Sequence, residues 1–495
     1  MVRSVNQTMQ LDRQEAKASK SPLALGDAPE KLLLARPNSR VRLGVAKMRR
    51  IKRSQDLVEF LGYSTALFLT VMFLLDGAVS QIVDVPSALS AISRLTALVA
   101  TDLLLIHILL VARVPWIERL YGHDRTTTAH KKLGKPILYL VLAHFAASLV
   151  QYALLDGKNL WDTFLFLIFD VADMWTATIA LALMITVVIT SINLARKKLS
   201  YEAWYIVHLM SYGAVMLAIP HQFSTGSDIA GKPIQQAFWI ALYFFVALNL
   251  VWYRILSPVV KSLRHNLRVD RVVRESSDTV SVYIGGKRIE QLGGKAGQFY
   301  LLRILTASQW FRPHPFSISA APNSRYVRFS IGNRGDDTAL MPYLRKGTRV
   351  ILEGPYGVFT EDRRSKPKVT LIAAGIGVPP IRALAESMAA KAGDIQVIYR
   401  TRDEDDAALL EELRTVCALR GFGLHVLVGS RGEGASWMPA GDARPDHQRL
   451  LELVPAVASS DVFICGPAAW TRAVEKTLHR VGTPAAHIHA EEFAW

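Results

Sequence analysis

The sequence is poor in cysteine and in charge. Only Cys417 and Cys465 occur among 495 residues, which excludes a small secreted domain held together by several disulfides. Charged residues make up 20% of the chain, below the roughly 25% of a typical soluble protein, whereas 51% of the residues are hydrophobic. Because disorder requires low hydrophobicity together with high charge, this composition also excludes a largely disordered chain.

Acidic residues are scarce relative to basic ones, with 42 Asp and Glu against 58 Lys and Arg and a formal net charge of +16. A chain both basic and apolar is typical of a membrane protein or a nucleic-acid binder. The basic residues lie beside apolar segments and no nucleic-acid recognition motif is present, so no nucleic-acid partner is predicted. Residues 1–53 carry 13 basic and 4 acidic residues without an apolar run, and they are predicted to be a disordered tail rather than a signal peptide.

Six apolar stretches are long enough to cross about 30 Å of hydrocarbon. They are Leu57–Leu75, Leu95–Ala112, Thr126–Leu155, Thr163–Ala195, Ala203–Ile219 and Gln236–Ile255.

The charge of the connecting segments predicts their side of the membrane. Residues 113–135 and 195–202 are strongly basic, whereas 76–94, 155–162 and 221–233 carry net charges between −1 and zero. Short loops rich in Lys and Arg stay in the cytoplasm. The sequence therefore predicts a multi-pass protein of the plasma membrane with both termini cytoplasmic and with membrane lipid as a partner.

The composition changes after residue 258. Short β-rich runs separated by Gly and Pro are followed by alternating strands and helices, the helices at Pro380–Ala392, Asp406–Leu419 and Ala468–Val481. This order predicts an antiparallel β-domain and then a parallel α/β domain. The predicted division is a transmembrane domain at 54–258, a β-domain at 259–362 and an α/β domain at 363–495.

Four histidines fall on two of the apolar segments with similar spacing. His130 and His144 lie fourteen residues apart on the third segment, and His208 and His221 lie thirteen apart on the fifth. Each interval is close to four helical turns, so each pair shares a helix face with a rise of roughly 20 Å. Since both segments run from inside to outside, two haem irons stacked across the membrane and each held by two imidazoles would need this geometry.

Single buried histidines often make only hydrogen bonds between helices or line a proton path. Two matched pairs on parallel helices favour haem over that interpretation, and the pairs are too far apart to share one zinc ion. His107 on the second segment has no matching partner and is expected to make a polar contact.

Several motifs after residue 300 are typical of flavin and nicotinamide sites. In His314-Pro315-Phe316-Ser317, His314 and backbone groups would hold a flavin and the Ser317 hydroxyl would reach its N5 atom. Gly335-Asp336-Asp337-Thr338 precedes a helical pattern and could present N–H groups to a pyrophosphate. Gly375 and Gly377 join an apolar strand to a helix, where glycines allow close approach of a phosphate.

Two further groups follow later strands. Arg400 and Arg402 end a strand and suit the 2′-phosphate of NADPH, although a solvated charge run would have the same sequence. Cys465-Gly466-Pro467 ends the last predicted strand, where ligands bind in open α/β sheets, so the thiol could pack near a nicotinamide.

Together these motifs and Gly354-Pro355-Tyr356-Gly357 resemble the ferric reductase-like transmembrane family, including NADPH oxidases and their bacterial relatives, over residues 57–495. The resemblance implies a six-helix bundle with two b-type haems, a β-barrel FAD domain and a ferredoxin reductase-like domain that binds NADPH, with NADH as the alternative. Such proteins pass a hydride to the flavin and single electrons through both haems to an outer acceptor.

The resemblance also implies roles at both ends of the path. A C-terminal aromatic ring shields the flavin, and Phe493 or Trp495 matches that position. Arg94 resembles the arginine of the oxygen site, but a second histidine of that site is replaced by Ser148. The resemblance thus leaves two terminal electron acceptors open, namely oxygen, which would give superoxide, and a ferric chelate. It also leaves open whether an accessory subunit is present. A proton channel or transporter with a nucleotide-sensing domain is the alternative outside the enzymes.

Overall fold

The structure, a computed structural model, describes residues 37–493 apart from 193–195, 197, 308, 433–435 and 442–443, with side chains from residue 49 to 491 except those of 124 and 201. Residues 53–255 form one compact unit, called the helical unit below, and the residues from 256 onward form most of a second, called the sheet unit.

The described residues of the helical unit lie mainly on eight α-helices, the first of which begins before residue 53. They are α1 (Pro37–Leu75), α2 (Val85–Val111), α3 (Pro115–Tyr121), α4 (His123–Asp156), α5 (Leu160–Asp170), α6 (Met174–Ser191), α7 (Tyr201–Ser224) and α8 (Pro233–Val251). Six helices in the described part of the chain are long and apolar enough to cross a membrane. This number confirms the predicted multi-pass architecture.

Two helix boundaries differ from the prediction. Residues 37–53, assigned above to a disordered tail, are the first part of α1, and Pro37 occupies the first helical position, where its missing N–H costs no hydrogen bond. The fourth apolar segment is divided into α5 and α6, because the chain leaves the helical conformation at Val171 and Asp173 adopts a left-handed φ of 60°.

The sheet unit begins with α9 (Ser257–His265) and two antiparallel sheets, in the orders β1-β2-β5 and β4-β3-β6. The strands are β1 (Arg268–Arg274), β2 (Thr279–Gly285), β3 (Phe299–Ile304), β4 (His314–Ser317), β5 (Val327–Gly332) and β6 (Val350–Tyr356). Isolated bridges join Ile318 to Phe329 and Arg268 to Arg349. The sheets are open in the described chain, so the closed barrel implied by the resemblance is not confirmed.

A five-stranded parallel sheet follows, in the order β11-β10-β7-β8-β9. Its strands are β7 (Val369–Ala374), β8 (Ile395–Thr401), β9 (Gly423–Val428), β10 (Asp461–Pro467) and β11 (Ile488–Phe493). The helices are the short α10 (Asp336–Ala339), which precedes β6, and then α11 (Val378–Ser387), α12 (Leu410–Arg420), α13 (Asp446–Leu453) and α14 (Ala468–Arg480).

Alternation along β7 places side chains on opposite faces of this sheet. Leu371 and Ala373 join the apolar core that includes α11 and α12, whereas Ile372 joins the core that includes α13 and α14. Burial on both faces explains why the central strands read as continuous apolar runs. Because β7 pairs in parallel with both β8 and β10, the carboxyl ends of these three strands lie along one edge of the sheet.

Asp461 anchors the opposite end of the sheet, at the start of β10. Its buried carboxylate accepts hydrogen bonds from the backbone N–H groups of Ser365 and Lys366, and Nδ1 of His487 lies 3.0 Å from Oδ1. Although burial opposes ionisation, the nearby His489 imidazole and these N–H groups hold the pKa of Asp461 below its ordinary value.

We expect Asp461→Asn to lower the free energy of unfolding by about 1–3 kcal/mol at neutral pH, because charge-assisted hydrogen bonds are lost. A carboxylate with a lowered folded pKa stabilises the fold above its unfolded pKa, near 3.9, and this stabilisation is lost as the pH falls below it. Thermal unfolding of the purified full chain between pH 7 and pH 3 measures both effects. Glu452→Gln, at an exposed ion pair, is the control. Equal unfolding midpoints for Asp461→Asn and the parent at pH 7 would contradict this account.

Candidate functional site

The carboxyl edge of the parallel sheet brings the predicted nicotinamide residues together. The turn Gly375–Gly377 joins β7 to α11, and β7 lies between β8 and β10, so that Ala374 pairs with Arg400 and Ala373 pairs with Cys465. A Cβ atom on Gly377 would lie 2.1 Å from the Cys465 carbonyl oxygen. Only glycine lets these two strand ends approach each other so closely.

Gly466 and Pro467 complete this edge. A Cβ atom on Gly466 would lie 2.7 Å from the Trp470 ring and 3.2 Å from Cβ of Ala374, so the strand end is also closely packed there. The Cys465 side chain is fully buried, and burial raises the pKa of its thiol well above the ordinary value. Cys465 is therefore a protonated thiol at neutral pH rather than a nucleophilic thiolate.

The two arginines after β8 occupy different environments. The Arg400 guanidinium is nearly buried and donates to the carbonyl oxygens of Gly429 and Ser430, both at 2.8 Å, whereas Arg402 is exposed. Burial, followed by repulsion from Arg402 and Arg449, lowers the pKa of Arg400. Three cations thus cluster here, and Arg449 was not identified from the sequence because it lies 47 residues beyond Arg402.

The predicted flavin segment His314–Ser317 is strand β4, paired antiparallel with β3. Along this strand Pro315 is exposed, whereas Phe316 and Ser317 are buried. Oγ of Ser317 is buried and has no hydrogen-bond partner among the described residues. Since unpaired buried hydroxyl groups are costly, this atom fits a polar atom of a ligand such as a flavin.

Asp337 organises the charges beside this strand. It accepts a hydrogen bond of 3.0 Å from Arg312, and its Oδ2 lies 3.3 Å from Nε2 of His314. Burial lowers the pKa of His314, an effect that the Asp337 carboxylate opposes. Asp337 belongs to the Gly335 motif, and nothing local in the sequence indicates its partners in the 312–314 segment.

The Gly335 motif forms only the short helix α10, which begins at Asp336. The Thr338 hydroxyl donates to the Gly335 carbonyl at 2.9 Å and accepts from the Arg334 N–H at 2.8 Å. Gly335 and Asp336 are exposed. The motif is thus a short helical turn, and the Thr338 hydroxyl holds its first residues together.

In the helical unit, the first histidine pair lies on α4 and α7. The ring centres of His130 and His208 are 6.0 Å apart. Two imidazoles that ligate one metal from opposite sides, each through a nitrogen about 2 Å away, have ring centres roughly 6 Å apart. The structure therefore brings His130 and His208 to a separation that fits a shared haem iron.

Main-chain groups of α2 orient the α4 histidines. Nδ1 of His130 lies 3.1 Å from the carbonyl oxygen of His107, and Nδ1 of His144 lies 3.0 Å from that of Ser93. A nitrogen that faces a carbonyl oxygen must carry the proton, which leaves Nε2 as the lone-pair nitrogen in both rings. Metal-bound histidines commonly have this arrangement.

The second predicted pair is His144 on α4 and His221 on α7. Nδ1 of His221 is buried and makes no hydrogen bond of good geometry among the described residues. The Ser93 hydroxyl lies 2.9 Å from Nδ1 of His144 and 2.5 Å from the Ser148 hydroxyl. The sequence could not indicate Ser93, since its contribution is mainly a carbonyl group.

The predicted acceptor-site arginine already has a partner. The Nε atom of Arg94 donates to Oδ2 of Asp228 at 2.8 Å, its Nη2 atom binds Oδ1, and the guanidinium lies 5.2 Å from the centre of the Phe73 ring. Of the two C-terminal aromatic rings, the Phe493 side chain and all of Trp495 lie outside the described residues, so the choice between them stays a prediction.

Two family descriptions match the chain. Residues 96–219, which include His130, His144 and His208 but end two residues before His221, match the ferric reductase like transmembrane component. Residues 371–476 match the oxidoreductase NAD-binding domain. Both agree with the resemblance found in the sequence motifs.

Two individual relatives are each less than 30% identical to this chain. The ferredoxin reductase component of 3-ketosteroid-9-alpha-monooxygenase from Mycolicibacterium smegmatis is 29% identical over 237 residues, which are 46% of this chain and 65% of that protein. A flavohemoprotein from Vibrio cholerae is 27% identical over 286 residues, 54% of this chain and 70% of its own length. The crystal structure of the FAD/NAD-binding domain of nitric oxide dioxygenase from Vibrio cholerae, at 23% identity, has a TM-score of 0.39 and covers 46% of this chain and 97% of that one.

We expect Gly377→Ala to weaken NADPH binding by about tenfold or more, because the added Cβ must separate β7 from β10 at the edge where a phosphate would approach. Gly375→Ala is the matched comparison: its Cβ meets no atom within 4 Å, and only its φ of 50° opposes the substitution. Titration of NADPH into each purified variant measures the dissociation constants. Equal affinities for Gly377→Ala and the parent protein would show that this turn does not approach the nucleotide.

Proposed function

Because the chain joins a ferric reductase-like transmembrane region to an oxidoreductase NAD-binding domain, we propose that it is a transmembrane oxidoreductase. It takes electrons from cytosolic NADPH, or from NADH, through FAD and two b-type haems to an acceptor on the outer side of the plasma membrane. The observation that supports the proposal is the 6.0 Å separation of the His130 and His208 ring centres on α4 and α7, with His144 and His221 close to four turns further along the same helices.

The residues of the sheet unit would bind the first two groups of this path. The Gly375–Gly377 turn and the strand ends after it hold NADPH, and Ser317 and His314 hold the flavin. A flavin is needed because a nicotinamide gives two electrons as a hydride whereas haem iron takes one electron at a time. The buried, unpaired Ser317 hydroxyl supplies a hydrogen-bonding group at the predicted flavin face.

The four histidines would hold the haems through Nε2. The His107 and Ser93 carbonyl groups fix the tautomers of His130 and His144, so each ring presents a lone pair without the loss of a buried hydrogen bond. Imidazoles held in one orientation require little rearrangement when they bind iron. The basic connectors 113–135 and 195–202 support placement of the sheet unit in the cytoplasm.

Two acceptors are consistent with this path, and one observation favours a ferric chelate over oxygen. Arg94, the counterpart of an oxygen-site arginine, is bound by the Asp228 carboxylate through two atoms. A guanidinium neutralised in this way offers less stabilisation to a superoxide anion. Ser148, in place of a second histidine, is hydrogen-bonded to Ser93.

We expect the purified protein to contain two haems per chain and to show the spectrum of reduced b-type haem when NADPH and FAD are added without oxygen. His208→Ala should retain one haem, because the inner iron loses one of its two protein ligands, and NADPH should then no longer reduce the outer haem. Haem content per chain and the absorption spectrum measure both results.

The control for this experiment is His123→Gln, at the start of α4, where the imidazole lies 3.1 Å from Glu118 and should not bind haem. Two haems in His208→Ala would refute the pairing. A purified wild type that lacks haem but conducts protons upon NADPH addition would instead identify a channel.

A further inference from the structure

A buried group of charges connects the antiparallel sheets of the sheet unit to the helices of its parallel sheet. Arg328 on β5 and Arg382 on α11 are both 0% exposed, and the carboxylates of Glu412 on α12 and Glu386 on α11 are almost fully buried. The four side chains carry two positive and two negative charges, so the group is balanced. No predicted flavin or NADPH ligand belongs to it.

Glu412 lies between the two arginines. Its Oε1 accepts a hydrogen bond of 2.8 Å from Arg328, and its Oε2 lies 3.0 Å from Nε of Arg382. Burial would raise the pKa of Glu412, but the guanidinium groups of Arg328 and Arg382 hold it below the ordinary value. Glu412 is therefore a carboxylate in the folded protein at neutral pH.

Both arginines also hold the chain next to the predicted flavin strand. Arg328 donates to the Ser319 carbonyl at 2.6 Å and to the Ser319 hydroxyl at 3.0 Å, and Arg382 reaches the same carbonyl at 3.3 Å. Ser319 is two residues beyond Ser317, and Arg382 is five residues beyond Gly377. The group thus links the segments that carry the two predicted cofactor sites.

A second contact lies beside the same turn. A Cβ atom on Gly332, at the end of β5, would lie 3.2 Å from the Ile376 side chain, within the Gly375–Gly377 turn. The antiparallel sheet and the nicotinamide turn therefore meet directly.

Buried ion pairs are a poor source of stability, since the cost of removing charges from water offsets most of their attraction. Their geometry is restrictive, however, because a planar guanidinium and a carboxylate pair in few orientations. Apolar residues of similar volume could fill this interface but would lack such directional contacts. This group is therefore suited to fixing one relative position.

We propose that Glu412 is a positioning residue, which through Arg328 and Arg382 sets the distance between the flavin and nicotinamide sites for hydride transfer. The inference rests on the proposed function, in which NADPH becomes NADP⁺ as a hydride, two electrons with one proton, moves from the nicotinamide to the flavin. A misplacement of about 1 Å can slow such a step on the order of 100-fold.

The test uses Glu412→Gln in the FAD-loaded full chain, with flavin reduction by NADPH followed without oxygen in a rapid-mixing spectrometer. We expect the rate at saturating NADPH, per bound FAD, to fall at least about tenfold. The NADPH concentration that gives half the maximal rate should change less than about threefold, because no predicted nucleotide ligand is altered. Glu411→Gln is the matched control, as Glu411 lies on the exposed face of α12 and pairs with Arg414.

Amide hydrogen exchange of the same variants is a readout independent of turnover. Exchange should accelerate at Ser319 and in α11 of Glu412→Gln but not of Glu411→Gln. If Glu412→Gln does not fold, Tyr283→Phe removes only the hydroxyl group that accepts a hydrogen bond of 3.3 Å from Arg328, and a smaller slowing with the same exchange pattern is expected.

A wild-type rate in the folded Glu412→Gln variant, or in Tyr283→Phe where the former does not fold, would overturn the inference. A loss of NADPH affinity without slower reduction at saturation would also overturn it. Absence of NADPH-driven flavin reduction in the wild type would instead overturn the proposed function. Hydrogen exchange would then decide by itself, and unchanged exchange at Ser319 would reject a role for Glu412 in holding the two segments.

Discussion

The need to give the Nδ1 atoms of His130 and His144 hydrogen-bond acceptors inside the membrane determines how α4 faces α2. Hydrocarbon offers no water to replace a missing hydrogen bond, so the Nδ1 atoms of the α4 histidines must find acceptors on a neighbouring helix. The carbonyl groups of His107 and Ser93 on α2 meet this need. These two residues are fourteen apart, as are His130 and His144, so two antiparallel helices match over four turns.

This arrangement leaves the opposite nitrogens of the rings for a metal. His107 contributes in two ways, since its ring stacks on that of His130 at 3.6 Å between centres while its carbonyl group faces Nδ1 of the same residue. The polar contact predicted for His107 is thus with the inner histidine of the pair. His107, which has no matching histidine on another segment, thus supports His130, which is predicted to pair with His208.

Helical periodicity predicts which histidines share a helix face, because a rise of four turns can be read directly from residue numbers. Gly377 was predictable for a similar reason, because close approach at a strand end demands a missing side chain. Arg400 was different, since its carbonyl partners Gly429 and Ser430 follow another strand and only the sheet order brings them near. The break before α6 also had no local signal, because the sequence around Asp173 contains neither glycine nor proline.

Reconstitution into sealed vesicles tests most directly whether electrons cross the membrane through this protein. Protein would be inserted with part of the population exposing the sheet unit outward, with ferric citrate trapped inside and NADPH, which does not cross lipid, added outside. We expect Fe²⁺ to form inside the vesicles at a rate that depends on FAD. Oxidation of NADPH without formation of Fe²⁺ or superoxide inside the vesicles would contradict transmembrane electron transfer.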